Sequence, residues 1–159
     1  MMKYRRFRWK TKMILKVDTV DYVSNLKELV DGGQEVAITV VGWSMMPFLR
    51  NQRDRVLLKK PTSAFKVDDI VFYQRRSGQY VLHRIYKVQP DGCYMMGDSQ
   101  VTLEGPIDTD AIFAIVTEVE RNCRWISAES FAWRFASALW RILYPLRKLA
   151  YRARKAIRK

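Results

Sequence analysis

Histidine is almost absent from this 159-residue chain, which has only His83. Cysteine is nearly as scarce: Cys93 and Cys123 form no CxxC pair, so the ligands of a zinc site are missing and neither metal nor cofactor is expected. Two isolated cysteines read as free thiols, with burial the expectation for both. Long apolar runs are also lacking. A bilayer-spanning helix needs about 18 apolar residues in a row, and the basic N-terminus instead runs into Val17, Asp18 and Asp21. A secretory signal would need an apolar stretch there. The expected location is therefore peripheral to a membrane or cytoplasmic, with no transmembrane segment. Internal repeats and low-complexity linkers are missing too.

Acidic residues are in short supply, and unevenly so. Lys and Arg number 29 against 16 Asp and Glu, giving a formal charge of +13. Residues 1–16 hold seven basic residues and no acid, and residues 129–159 hold nine against Glu129 alone, so the body between them is slightly negative. Basic residues of a DNA-reading domain line its recognition face, whereas here they sit in two arms. An anionic membrane surface is the expected partner, and no specific nucleic acid is. The chain's 48% apolar content argues against disorder and for one globular domain with tails. Three regions follow: a basic arm over 1–17, a β domain with an N-terminal helix over 18–128, and a basic amphipathic helical tail over 129–159.

Val23, Leu26, Leu29 and Val30 recur at helical spacing after Asp18 and Thr19, and Gly32-Gly33 supplies a stop. From Glu35 the pattern turns to short β-rich runs: VAITVVG, RVLLKK, DIVFYQ, QYVLHRIYKV, CYMMG and AIFAIVTEV. Ser77-Gly78 and Asp91-Gly92 read as tight reversals on either side of the strand that carries His83. The fold class is thus mainly β. In the tail, Phe131, Phe135, Leu139, Ile142, Leu146, Leu149 and Ala153 make one stripe, and Arg134, Arg141, Lys148, Arg152 and Lys155 another. Pro145 should kink or split the helix. Trp133, Trp140 and Tyr144 are expected at headgroup depth if the tail lies in a membrane plane. The alternative is an apolar stripe packed on the protein's own sheet or on a partner chain.

The stretch VGWSMMPFLRNQRDRVLLK, residues 41–59, places a glycine and a serine after a strand and a proline beyond them, a turn able to expose the Ser44 hydroxyl. Serine needs a base for its proton and donors for the oxyanion. His83, mid-strand in YVLHRIYKV, is the one histidine on hand, although residue type alone leaves a structural role open for both.

GWSMMPFL followed by RDRVLLKK resembles the nucleophile box of the signal peptidase and LexA-like serine peptidase superfamily. DDIVFY, QYVLHRIYKV and YMMGDS follow in the order of that superfamily's later boxes, so the resemblance covers about residues 36–120. A histidine as base is similar to the archaeal and endoplasmic-reticulum signal peptidases rather than to the lysine branch. The resemblance implies a signal-peptidase-like β domain and a serine endopeptidase acting on signal or leader peptides. It implies Ser44 as nucleophile, His83 as base, and Asp98 and Glu104 as the acids assisting His83, with glutamate standing where the family has aspartate. Either acid could orient the imidazole, and Asp98 is the expected essential one. Gly42, which lacks the hydroxyl of some family members, and Met45 are implied at the oxyanion and substrate side. The substrate would be a peptide or preprotein bound as an extended strand. Two other readings remain at this point: a noncatalytic peptide-binding relative, and a LexA-like self-cleaving regulator. The latter is disfavoured by the short segment before Gly42 and the lack of an Ala-Gly or Cys-Gly bond ahead of Ser44.

Overall fold

The computed structural model describes residues 19–157, and the basic arm expected over 1–17 lies outside them. Helix α1 spans Thr19–Asp31 and buries Val23, Leu26 and Val30 on one face. Leu29, expected on the same stripe, is exposed. The helix ends where Gly33 adopts φ +83°, a conformation that suits glycine, and the Gln34 N–H turns back to the Leu29 carbonyl at 3.0 Å.

Eight antiparallel strands follow: β1 Val36–Thr39, β2 Arg55–Lys59, β3 Ile70–Gln74, β4 Tyr80–Gln89, β5 Gly92–Met96, β6 Glu104–Ile107, β7 Ile112–Arg121 and β8 Arg124–Ser127. Their order is β1-β2-β7-β3-β4-β5-β6, with β8 paired to β7. Strand β7 has β2 along one edge, while β3 takes Ile112–Ile115 and β8 takes Glu118–Arg121. The mainly β expectation holds, with β6 and β8 added. Strand β6 is Glu-Gly-Pro-Ile, a composition that reads as loop; it pairs only with β5, and an edge strand tolerates proline.

Strand β3 divides the core in two. Ile70 and Phe72 join the α1 side chains, Leu49, Val56, Leu58 and Trp133, while Val71 and Tyr73 join Ile85, Cys93 and Met95 on the opposite face. That alternation is the pleat of a strand covered on both sides, and it explains the near-continuous apolar run in its sequence. Cys93 is buried and Cys123 is exposed; both are free.

The tail divides as its proline requires, into α2 (Phe131–Ile142) and α3 (Tyr144–Ile157), with Pro145 in the first turn of α3 where its missing N–H costs nothing. The helices lie with polar and aromatic groups inward. Trp133 and Trp140 pack edge-on against Phe48 at 5.5 and 6.1 Å, and the Tyr144 hydroxyl donates to the Val101 carbonyl at 2.9 Å. These three rings therefore hold the tail to the domain instead of projecting from it as expected, because each finds a partner on the body. The stripe from Phe131 to Leu149 faces outward. No helix among the described residues is long and apolar enough to cross a membrane.

Candidate active site

Strand β1 leads into a compact turn built by short-range hydrogen bonds. Val40 N–H donates to the Asp54 carbonyl at 3.0 Å, Gln52 N–H returns to the Val40 carbonyl at 2.8 Å, and Asn51 Oδ1 accepts from Gly42 N–H at 2.9 Å. Gly42 has φ +107°, which a side chain would strain, although a Cβ there would meet nothing within 4 Å. Its requirement is conformational, not one of space. Ser44 follows, partly exposed, and its N–H makes no hydrogen bond among the described residues.

The Ser44 carbonyl is gripped from the loop after β5. Ser99 donates to it twice, from its N–H at 2.8 Å and its hydroxyl at 3.1 Å, and the same hydroxyl lies 3.0 Å from the Trp43 carbonyl. A Cβ on Gly97 would stand 2.6 Å from the Ser44 oxygen. The Gly-Asp loop thus lies against the serine turn because residue 97 has no side chain.

His83, in β4, faces Val71 across the β3–β4 pair, so Val71, Tyr73 and His83 share one face of the sheet. The imidazole is 2% exposed, and Tyr73 Oη lies 3.3 Å from its Nδ1. The same hydroxyl is 3.1 Å from Glu104 Oε2, and Arg75 grips that carboxylate with Nε at 2.7 Å and Nη2 at 2.5 Å. The hydrogen bonds from Arg75, reinforced by Tyr73, hold the Glu104 carboxyl below its usual range. An ionised carboxylate only accepts, so Tyr73 donates to Glu104 and accepts from Nδ1–H of His83. Nε2 is then the bare nitrogen. Burial, with the Arg75 charge, pushes the imidazole down to about 4 against the opposing pull of Glu104, so it is neutral near pH 7.

Ser44, His83, Gly42, Met45 and Arg75 all border one cavity of about 680 Å³. Met45 is also a core residue, nearly fully buried. No hydrogen bond joins Ser44 Oγ to His83 among the described residues.

The two candidate acids separate. Glu104, on β6, reaches His83 through Tyr73, whereas Asp98 binds Arg84 with Oδ1–Nε 2.7 Å and Oδ2–Nη2 2.8 Å. Arg84 follows His83 on β4, and successive side chains leave a strand on opposite faces, which keeps Asp98 on the far side from the imidazole. Both members of the pair are almost fully buried, and Arg84 also donates to Ser137 Oγ and the Asp68 carbonyl while lying over the Phe48 ring at 4.7 Å. Burial raises the Asp98 carboxyl against the pull of Arg84. Tyr73 and Arg75 escaped the sequence reading; the one signal was their spacing of two in the IVFYQR run, which puts them on the same face of a strand.

No protein-family model, curated protein or solved structure matches this chain.

Proposed function

We propose that this chain is a serine endopeptidase with a signal-peptidase-like β domain, in which Ser44 attacks a peptide carbonyl and His83 carries the proton. The observation that carries the reading is that Ser44 and His83 border one cavity while His83 Nδ1 is tied through Tyr73 to Glu104, a linkage that leaves Nε2 free to accept. His83 Nε2 takes the Ser44 Oγ proton as Oγ bonds to the carbonyl carbon. The oxyanion is stabilised by the Ser44 N–H, which is unpaired among the described residues, and collapse breaks the C–N bond as Nε2 returns the proton to the departing amine. Water, deprotonated by the same nitrogen, then attacks the acyl ester, and the C–Oγ bond breaks as Nε2 returns that proton to Ser44 Oγ, releasing the carboxylic acid product. Glu104 and Tyr73 fix the tautomer, and Asp98 has a structural role. Signal or leader peptides, entering as extended chains, are the substrate class that the motif resemblance favours.

The test is digestion of a peptide library by wild type, Ser44→Ala and His83→Ala, read by mass spectrometry. Products from wild type alone are expected, with the cut sites giving the residue preference. Equal silence of all three proteins, while wild type still binds extended peptides, would move the assignment to a noncatalytic peptide-binding relative.

A further inference from the structure

Two interleaved stripes run along α2 and α3 with the same four-three spacing. Residues 133, 137, 140, 144 and 147 form one, and residues 135, 139, 142, 146, 149 and 153 the other. The stripes are offset by two residues, about 200° around a helix, so they occupy opposite faces and keep their register across Leu143. The first stripe is anchored. Trp133 is buried, Ser137 accepts from Arg84, Trp140 Nε1 donates to the Asp98 carbonyl at 2.9 Å, and Arg147 reaches the Asp98 and Gln100 carbonyls at 2.6 and 2.9 Å. Arg134 and Arg141 face Asp69 and Asp68 at 3.7 and 3.1 Å. The second stripe is open: Phe131 is 84% exposed, Phe135 62% and Leu146 63%, and Leu139, Ile142 and Leu149 are exposed with them.

A run of six large apolar side chains on a helix fastened by its other face is a docking surface awaiting a partner. Charge identifies the partner. Residues 130–159 carry nine Lys and Arg and no acid; the body engages Arg134, Arg141 and Arg147, and six more cations follow Arg147. A second copy seated on this stripe would bring two such cationic segments side by side, with no carboxylate on either to pair across the seam. An anionic bilayer supplies both an apolar interior for the stripe and negative headgroups for the cations. Neither helix can cross that bilayer, so the tail lies in its plane.

We propose that the outward stripe of α2 and α3 inserts into the interface of an anionic lipid bilayer. This surface is separate from the Ser44 cavity, and the proposal stands whether or not the chain cleaves peptides.

Co-sedimentation of the full chain with vesicles of phosphatidylcholine alone, and of phosphatidylcholine with phosphatidylglycerol, tests it. Wild type is expected to bind the phosphatidylglycerol vesicles and to weaken as salt rises. The double variant Phe135→Gln/Leu146→Gln, which leaves the charge unchanged, should bind tenfold or more weakly with an unaltered melting temperature, since two large apolar side chains are withdrawn from lipid. Phe131→Ser/Ile142→Ser provides an independent pair should the first fold poorly. Equal binding by wild type and both variants would overturn the proposal, because the basic residues alone would then suffice. Absence of binding, together with a lipid-free dimer that these substitutions dissociate, would overturn it in favour of a second copy of the chain.

Discussion

Gly97 lies so near the Ser44 carbonyl oxygen that a Cβ on residue 97 would approach it to 2.6 Å, well inside van der Waals contact for a nonbonded carbon and oxygen. The obstructing atom is a backbone oxygen, and Ser99 pins that carbonyl with two hydrogen bonds, so it cannot yield cheaply. Gly97→Ala should therefore destabilise the fold by roughly 1–3 kcal/mol. Peptide cleavage should fall by more than the unfolded fraction accounts for, because the nucleophile's own turn must shift. Urea denaturation alongside activity on the folded population separates the two.

Tyr73 is the sole bridge found between the imidazole and Glu104 among the described residues. Tyr73→Phe keeps the ring and removes the oxygen, leaving Nδ1–H without its acceptor. The loss of one buried hydrogen bond is worth roughly 1–3 kcal/mol, so turnover should fall roughly tenfold to a hundredfold with KM little changed. Glu104→Gln, which can still accept from Tyr73, should retain more activity than Tyr73→Phe.

Asp98 should behave as a structural residue. Asp98→Ala strands the Arg84 charge in the interior and should cost about 3–5 kcal/mol, whereas Arg84→Met/Asp98→Leu should recover much of that loss. The His83 titration followed by NMR should stay where it is in the double variant. Displacement of it toward ordinary histidine values would show that Asp98 acts on the imidazole after all.

His83 gives the fold an acid-side weakness. Its pKa falls from 6.5 in the unfolded chain to about 4 in the folded protein, so between those values the unfolded state binds the extra proton. Stability is full above about pH 6.5 and declines as pH falls toward 4, by about 3 kcal/mol in all. Denaturant midpoints measured across that range should drop for wild type, and drop less for His83→Phe.

Much of this architecture could be read along the chain because it depends on neighbours in sequence. The α1 stripe, its Gly33 stop and the division of the tail at Pro145 are local, governed by helical periodicity and by backbone freedom at single residues. Six of the eight strands were likewise visible as β-rich runs between turn residues. Strand β6 was not, since glycine and proline hide a strand whose existence depends on pairing with β5.

Ser44 and His83 were candidates by residue type and local context, and the two acids by the family resemblance alone, but composition holds no information on which acid is linked to the imidazole. That was decided by the pleat of β4, which sends His83 and Arg84 to opposite faces, and by the β3–β4 register, which sets Tyr73 beside the imidazole. The tail shows the same division. Sequence periodicity determined that it has an apolar stripe and a polar one; the direction each faces was decided by Phe48, Asp68, Asp69, Arg84 and Asp98 on distant segments, whose aromatic and charged groups draw the other stripe inward and leave the apolar one outside. Periodicity is a property of one segment, and burial is a property of what that segment meets.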